Sequence, residues 1–180
     1  MKKIAFALIA AALPLAAHAK APHVQTVPGF ADFLAVDGKT VWTTNKGRVE
    51  RWSRKGKLAE VPLAHPCGAM AIAAGSLWVA NCADGTLNRI DMRTAKIVAT
   101  IPTGIANQKE GELNVVAGAG SVWLASDAKG LISRVDPATN AVIATIPVDP
   151  ETSYMAFGFG AVWAVSLPQQ SLQKIDPATN

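Results

Sequence analysis

Valine or leucine followed by tryptophan recurs along this chain at near-constant spacing. Val41-Trp42, Leu77-Trp78, Val122-Trp123 and Val162-Trp163 stand 36, 45 and 40 residues apart. Asp91, Asp136 and Asp176 each follow their tryptophan by 13 residues, and Pro102 and Pro147 each follow their aspartate by 11. The stretch RIDMRTAKIVATIPTG (89–104) returns as RVDPATNAVIATIPV (134–148) and again as KIDPATN (174–180). Markers that keep step over four units define a repeat of about 40 residues. Each unit must then be one supersecondary piece that buries its apolar faces only by stacking on its neighbours.

The segments inside a unit are short, rich in Val, Ile, Thr and Trp, and punctuated by Gly, Asn and Asp. Those are strand signals, with no room for a helix of ten residues. The second unit divides into AMAIAAG (69–75), SLWVANC (76–82), TLNRIDMRT (86–94) and AKIVATIPT (95–103), here called strands a, b, c and d. Gly38, Gly75, Gly120 and Gly160 supply the permissive backbone of each a–b hairpin. Asp-Pro-Ala-Thr-Asn (136–140 and 176–180) suits a type I turn between c and d, with the Asp side chain capping the backbone. Four antiparallel strands per unit make the blade of a β-propeller, so an all-β fold of about four such blades is expected.

The two ends of the repeat raise a question of closure. HVQTVPG (23–29) echoes the d strands, since Thr26-Val27-Pro28 matches Thr100-Ile101-Pro102, and the last unit runs out after strand c. One expectation is a closed four-blade ring in which 23–29 pairs with 171–176. The other is an arc belonging to a larger, typically seven-bladed ring, cut between blades. Blades of this length favour the arc, because four of them must splay widely to close a circle.

The first 19 residues read differently from the rest. MKKIAFALIAAALPLAAHA offers Lys2 and Lys3, an apolar run from Ile4 to Ala17, and Ala17-His18-Ala19 as a small-x-small cleavage site. That pattern predicts a secretory signal peptide over 1–19 and blades over 20–180. The apolar run is too short to span a bilayer, so no membrane span is expected after cleavage. A periplasmic or secreted location follows. The formal charge of +4 falls to +2 once Lys2 and Lys3 are removed, too little to suggest nucleic acid.

VWTTN (41–45) and LWVAN (77–81), with the units around RIDMRT and RVDPATN, resemble the YVTN-type β-propeller repeat proteins of bacteria. The resemblance covers essentially all of 20–180. It implies the propeller fold and says little about function, since members include binding proteins. A more distant similarity is to streptogramin (virginiamycin B) lyase-like propellers. That one implies a lyase opening a lactone-containing antibiotic with Mg²⁺ and a histidine and glutamate set. Only His23 and His65 follow residue 20, and neither lies in a His-x-Glu context, so no lyase residue is carried over.

Propeller geometry puts a–b and c–d turns on one side and b–c and d–a connections on the other. The first set repeats closely. The second is irregular, which is where function sits on a rigid scaffold. The third unit's extra residues fall in TGIANQKEGE (103–112), a d–a connection bearing Gln108, Glu110 and Glu112. His65, Asp84, Asp127, Lys129, Asp149 and Glu151 should share that face. A histidine with several carboxylates could hold a divalent metal or do acid–base chemistry, to be weighed against ordinary loop polarity. No nucleophile motif, phosphate loop or paired-cysteine metal signature appears. The expectation is therefore a scaffold binding an unknown small molecule or protein, without a cofactor. The alternative is a lyase or lactone hydrolase with a divalent metal in the central funnel. The tryptophans of strand b, placed alike in every blade, are expected to be packing residues of the repeating blade core. Cys67 and Cys82 flank the a–b hairpin symmetrically about Ala74-Gly75, which predicts a disulfide between facing strands in an exported chain.

Overall fold

The computed structural model describes residues 21–103, 113–126 and 130–180. The predicted signal segment, most of the long d–a connection with Gln108, Glu110 and Glu112, and Asp127 and Lys129 of the third b–c turn lie outside the described residues. Fifteen strands and no helix occur among those described. Blade 1 is β1 (Leu34–Asp37), β2 (Thr40–Asn45), β3 (Arg48–Ser53) and β4 (Gly56–Pro62); blade 2 is β5 (Pro66–Ala73), β6 (Ser76–Asn81), β7 (Thr86–Asp91) and β8 (Lys96–Pro102). Blade 3 is β9 (Val115–Gly118), β10 (Ser121–Ser126), β11 (Leu131–Asp136) and β12 (Ala141–Pro147); blade 4 is β13 (Thr152–Gly158), β14 (Ala161–Ser166) and β15 (Ser171–Ile175). Each sheet is an antiparallel meander in chain order. The fold is the β-propeller that the repeat predicts.

Period-two alternation explains why both residues of each Val-Trp pair are apolar. Trp42, Val49 and Val61 face blade 2 and meet Leu77, Val79 and Ile90 there. Trp78 and Leu87 face blade 3 and meet Val122, Leu124 and Val135, while Trp123 and Ile132 face blade 4 and meet Val162, Ala164 and Ile175. Blades 2 and 3 are thus apolar on both faces, and Trp42, Trp78 and Trp123 are fully buried. The inner strands run side by side, β1 against β5, β5 against β9 and β9 against β13.

A second device joins the blades, and it repeats as strictly as the tryptophans. The arginine on strand c stacks over the tryptophan of its own blade, with Arg51, Arg89 and Arg134 lying 5.4, 5.1 and 4.7 Å from the ring centres. Its Nε donates to Thr40 Oγ1, Ser76 Oγ or Ser121 Oγ at the start of strand b. Its Nη1 crosses to the c–d turn of the next blade, donating to the carbonyl of Met92, Pro137 or Pro177 at 2.8, 2.7 and 2.7 Å. Asn140 and Asn180 add a side-chain acceptor at 2.9 and 2.7 Å.

The c–d turn is built to be met in this way. It closes through the amide of its fifth residue, as in Asn140 N to Asp136 O at 2.9 Å and Ala95 N to Asp91 O at 2.8 Å, so it is one residue longer than the type I turn expected. The fifth residue sits in the left-handed region, φ 53 at Ala95, 55 at Asn140 and 66 at Asn180, a conformation asparagine tolerates better than alanine. The Asp side chain caps as expected. Asp136 Oδ1 accepts from the amide of Ala138, and Asp91 Oδ1 from the amide and hydroxyl of Thr94. Those bonds hold both carboxyls below the usual aspartate range.

The closed four-blade ring is not what forms. Residues 21–33 join no sheet, and β15 pairs only with β14 among the described strands. The blades form an arc with two open flanks. Leu34 and Val36 are exposed on blade 1, and Tyr154 and Leu172 on blade 4.

Candidate functional site

The b–c and d–a connections share one side of the arc, and the last residue of strand b organises them. In blade 2, Asn81 accepts from the amide of His65 at Oδ1 (3.1 Å) and donates through Nδ2 to Asp84 Oδ2 (3.1 Å). One side chain therefore ties the d–a connection holding His65 to the b–c turn holding Asp84. Asp84 Oδ1 also accepts from the amide and hydroxyl of Thr86, so this carboxylate caps its own turn while remaining exposed. In blade 1, Asn45 accepts from the amides of Phe30 and Lys46 (both 2.8 Å) and donates to the carbonyl of Pro28 (2.9 Å), so it ties the segment before β1 to its own b–c turn. The asparagines ending VWTTN and LWVAN are thus clamps, a role the repeat pattern left unassigned.

The His65 amide and the Asp84 carboxylate are joined through Asn81 on one blade. Asp149 stands between blades 3 and 4, half-buried: its amide donates to Gln173 Oε1 (2.8 Å), its carboxylate accepts from the Ser171 hydroxyl, and its carbonyl accepts from Thr152 Oγ1 (2.7 Å). It fixes strand c of blade 4 to the connection before blade 4. Glu151 is exposed, at φ 56. No group of three or more His, Cys, Asp or Glu side chains suited to a metal ion occurs among the described residues.

Cys67 and Cys82 form a disulfide with Cα atoms 5.9 Å apart, bracing the connection that carries His65. Their geometry differs from simple opposition. The ladder runs Ala73–Ser76, Ile72–Leu77 and Ala71–Trp78, then slips through a bulge so that Cys67 faces Ala80. Cys82 instead meets the d–a connection, its amide donating to the His65 carbonyl at 2.9 Å. Gly68 makes the bulge possible, at φ +71 and with the position of an added Cβ occupied by the Leu113 carbonyl group.

The open flank of blade 1 holds the most constrained charge among the described residues. Glu50, 1% exposed, accepts from Arg48 Nε at 2.8 Å, Asn45 Nδ2 at 3.1 Å and Trp52 Nε1 at 3.2 Å, with Lys57 Nζ at 3.4 Å. Burial pushes its carboxyl up, but the bonds from Arg48, Asn45 and Trp52 outweigh that and lower it to about 2. Beside this network an apolar slot of about 540 Å³ separates His23, Gln25 and Val27 from Leu34, Val41 and Trp52.

No protein-family model and no curated protein sequence matches this chain, so the YVTN-type resemblance rests on the quoted repeats. Many solved structures match its fold. A streptogramin B lyase structure aligns at TM-score 0.69 and 17% identity, over 82% of this chain and 52% of that one. Virginiamycin B lyase from Staphylococcus aureus aligns at 0.64 and 13%, over 84% and 58%. BamB from Moraxella catarrhalis aligns at 0.61 and 12%, over 74% and 39%. The chain thus spans between about two fifths and three fifths of the length of these three structures. At such identities the likeness defines the class, a β-propeller, and nothing finer.

Proposed function

We propose that this chain is an exported propeller scaffold that binds a small ligand or a partner protein through the side formed by its b–c and d–a connections. One observation carries the reading: the two sides of the arc differ in regularity. Every a–b hairpin turns through two residues, and the full c–d turns share one Asp-capped geometry that the arginine staples occupy. The d–a connections instead hold three, twelve and four residues after β4, β8 and β12, and they carry His65, 103–114 and Asp149. Variation on one side of a constant frame is how a scaffold is given a binding surface. Export is supported by the N-terminal signal pattern and by the disulfide, which persists in oxidising compartments.

The test is a thermal-shift screen of small ligands, peptides and divalent metals against the purified chain. A hit should disappear in a His65→Ala, Asp84→Ala double variant and survive Thr94→Ala on the opposite side. Hits that depend on Thr94 and ignore the double variant would refute the reading. Stoichiometric binding of a divalent metal, lost on His65→Ala, would favour a lyase or hydrolase instead.

A further inference from the structure

We infer that the side formed by the a–b and c–d turns, opposite the proposed binding side, is a docking surface for an anionic lipid bilayer. Its cationic turns meet the headgroup phosphates, and Phe159 enters the boundary between headgroups and acyl chains.

Three observations converge. First, the free charge on this side is positive. Lys39 on an a–b turn, Arg54, Lys55 and Arg93 on c–d turns, and Lys96 just after one, are all exposed. None of the five joins a salt bridge among the described residues. The carboxylates of the same turns are engaged internally. Asp37 pairs with Arg51 Nη2 at 2.6 Å, and Asp91, Asp136 and Asp176 each accept from an amide of their own turn. The other side has the reverse balance, with Asp32, Asp84 and Glu151 exposed against Lys46. A negatively charged surface therefore attracts one side of the molecule and repels the other, although the net charge is small.

Second, Phe159 is 99% exposed at the tip of the blade 4 a–b turn, at φ 51. A bulky side chain seldom adopts that left-handed backbone. The equivalent turns of blades 2 and 3 place alanine there, Ala74 and Ala119, both at φ 49. Neither packing nor backbone preference calls for phenylalanine at this position. A ring held out on a two-residue hairpin is placed to meet something apolar outside the chain.

Third, these tips stay in solvent whichever blades flank them. Ala74 and Ala119 are exposed although blades 3 and 4 follow, and Arg93 and Lys96 are exposed with a blade on either side. Exposure is thus a property of the turns themselves. The tips are spread from blade 1 to blade 4, so a broad, flat partner meets them together where a compact ligand does not. Phe30 and Leu167 are also exposed, but they lie on the other side with the carboxylates that an anionic surface repels. Duplex nucleic acid would match the cations and leave Phe159 without an apolar partner.

The test is cosedimentation of the exported, processed chain with vesicles of phosphatidylcholine, with and without phosphatidylglycerol. Binding should require phosphatidylglycerol and weaken as salt is raised, because salt screens the cations. The triple variant Arg54→Gln, Lys55→Gln, Arg93→Gln should lose roughly 100-fold in affinity, about five-fold for each cation. Phe159→Ala should lose about ten-fold and keep the fold, since alanine occupies that turn position in blades 2 and 3. Lys46→Gln, which removes a cation from the opposite side, should leave binding unchanged. No binding to either vesicle, or equal binding to both, would overturn the proposal. So would a loss for Lys46→Gln as large as that for Lys55→Gln, because net charge rather than this side would then be at work. If short duplex DNA displaced the vesicles and Phe159→Ala bound as tightly as the parent, the cations would belong to a nucleic-acid site and the bilayer assignment would fall.

Discussion

Replacing Arg89 with methionine tests whether the blades are held by the arginine staple as well as by apolar stacking. Methionine keeps most of the length over Trp78, so the change isolates the polar part. The guanidinium donates to Ser76 Oγ at 2.8 Å, Pro137 O at 2.7 Å and Asn140 Oδ1 at 2.9 Å, and stacks at 5.1 Å over Trp78. Hydrogen bonds to a charged group contribute about 1.5–3 kcal/mol each, and the stacking about 0.5–1 kcal/mol. These bonds, with a longer one to Ala74 O at 3.2 Å, share one half-exposed side chain and do not add, so roughly 3 kcal/mol is expected in total. For a chain of this size that corresponds to a fall in Tm of about 6–12 °C. The assay is equilibrium urea unfolding with the disulfide intact, with Arg93→Met as the control. Arg93 is exposed on the c–d turn of blade 2, where a substitution should cost no more than about 0.5 kcal/mol. Arg89→Lys keeps the cation and loses the fork, so it should forfeit more than half of the stabilisation. A cost below about 1 kcal/mol for Arg89→Met, or one no larger than the Arg93 control, would refute the staple.

Ala95→Asn should stabilise the chain by about 1 kcal/mol, because Ala95 sits at φ 53 where Asn140 and Asn180 stand in the other blades, and the new side chain would offer Arg51 an acceptor; an unchanged or lower urea midpoint would contradict this. Glu50 has its folded pKa lowered from 4.5 to about 2, so its contribution is fully present above about pH 5 and is lost as the pH falls through 2. The span is about 3 kcal/mol, and Glu50→Gln should flatten the acid limb of a stability–pH curve by that amount. Non-reduced digests should contain a Cys67–Cys82 linked peptide, and replacing both cysteines with serine should cost on the order of 3 kcal/mol for a loop with a sequence separation of 15.

Repetition is why so much of the fold was legible. A residue that meets the same neighbour in every blade is under the same constraint four times, and the Trp-to-Asp and Asp-to-Pro spacings report that directly. The strand boundaries of blade 2 follow the segments read from the sequence to within a few residues. What escaped was geometry that a spacing does not encode. The Cys67–Cys82 symmetry about Ala74-Gly75 is real in number, but the bulge at Gly68 moves the pairing register. Arg51, Arg89 and Arg134 recur as plainly as the tryptophans, yet their role depends on a turn 41 to 51 residues away that only stacking brings near. Of the candidate site, the His65 amide and the Asp84 carboxylate share Asn81 as a partner, and Asp149 anchors β15. Gln108, Glu110, Glu112 and Asp127 lie outside the described residues.

The departures from the repeat carry the remaining information, and they cluster. Blade 1 has Trp52 where the others have Ile90, Val135 and Ile175, and Glu50 where they have Asn88, Ser133 and Gln173. Those two residues sit on the flank facing the apolar slot, beside the shortened turn at Arg54-Lys55. Had blade 1 met a neighbour identical to those inside the arc, the isoleucine and the small amide would serve there as they do elsewhere. A buried carboxylate needing Arg48, Asn45, Trp52 and Lys57 to satisfy it is a costly substitute for an asparagine. Its presence marks a flank that differs from the blade faces buried inside the arc. By the same logic the irregular d–a connections mark the side of the molecule where something outside the repeat is met. Blade-to-blade packing constrains both kinds of position least, so they are where this chain differs from a generic propeller.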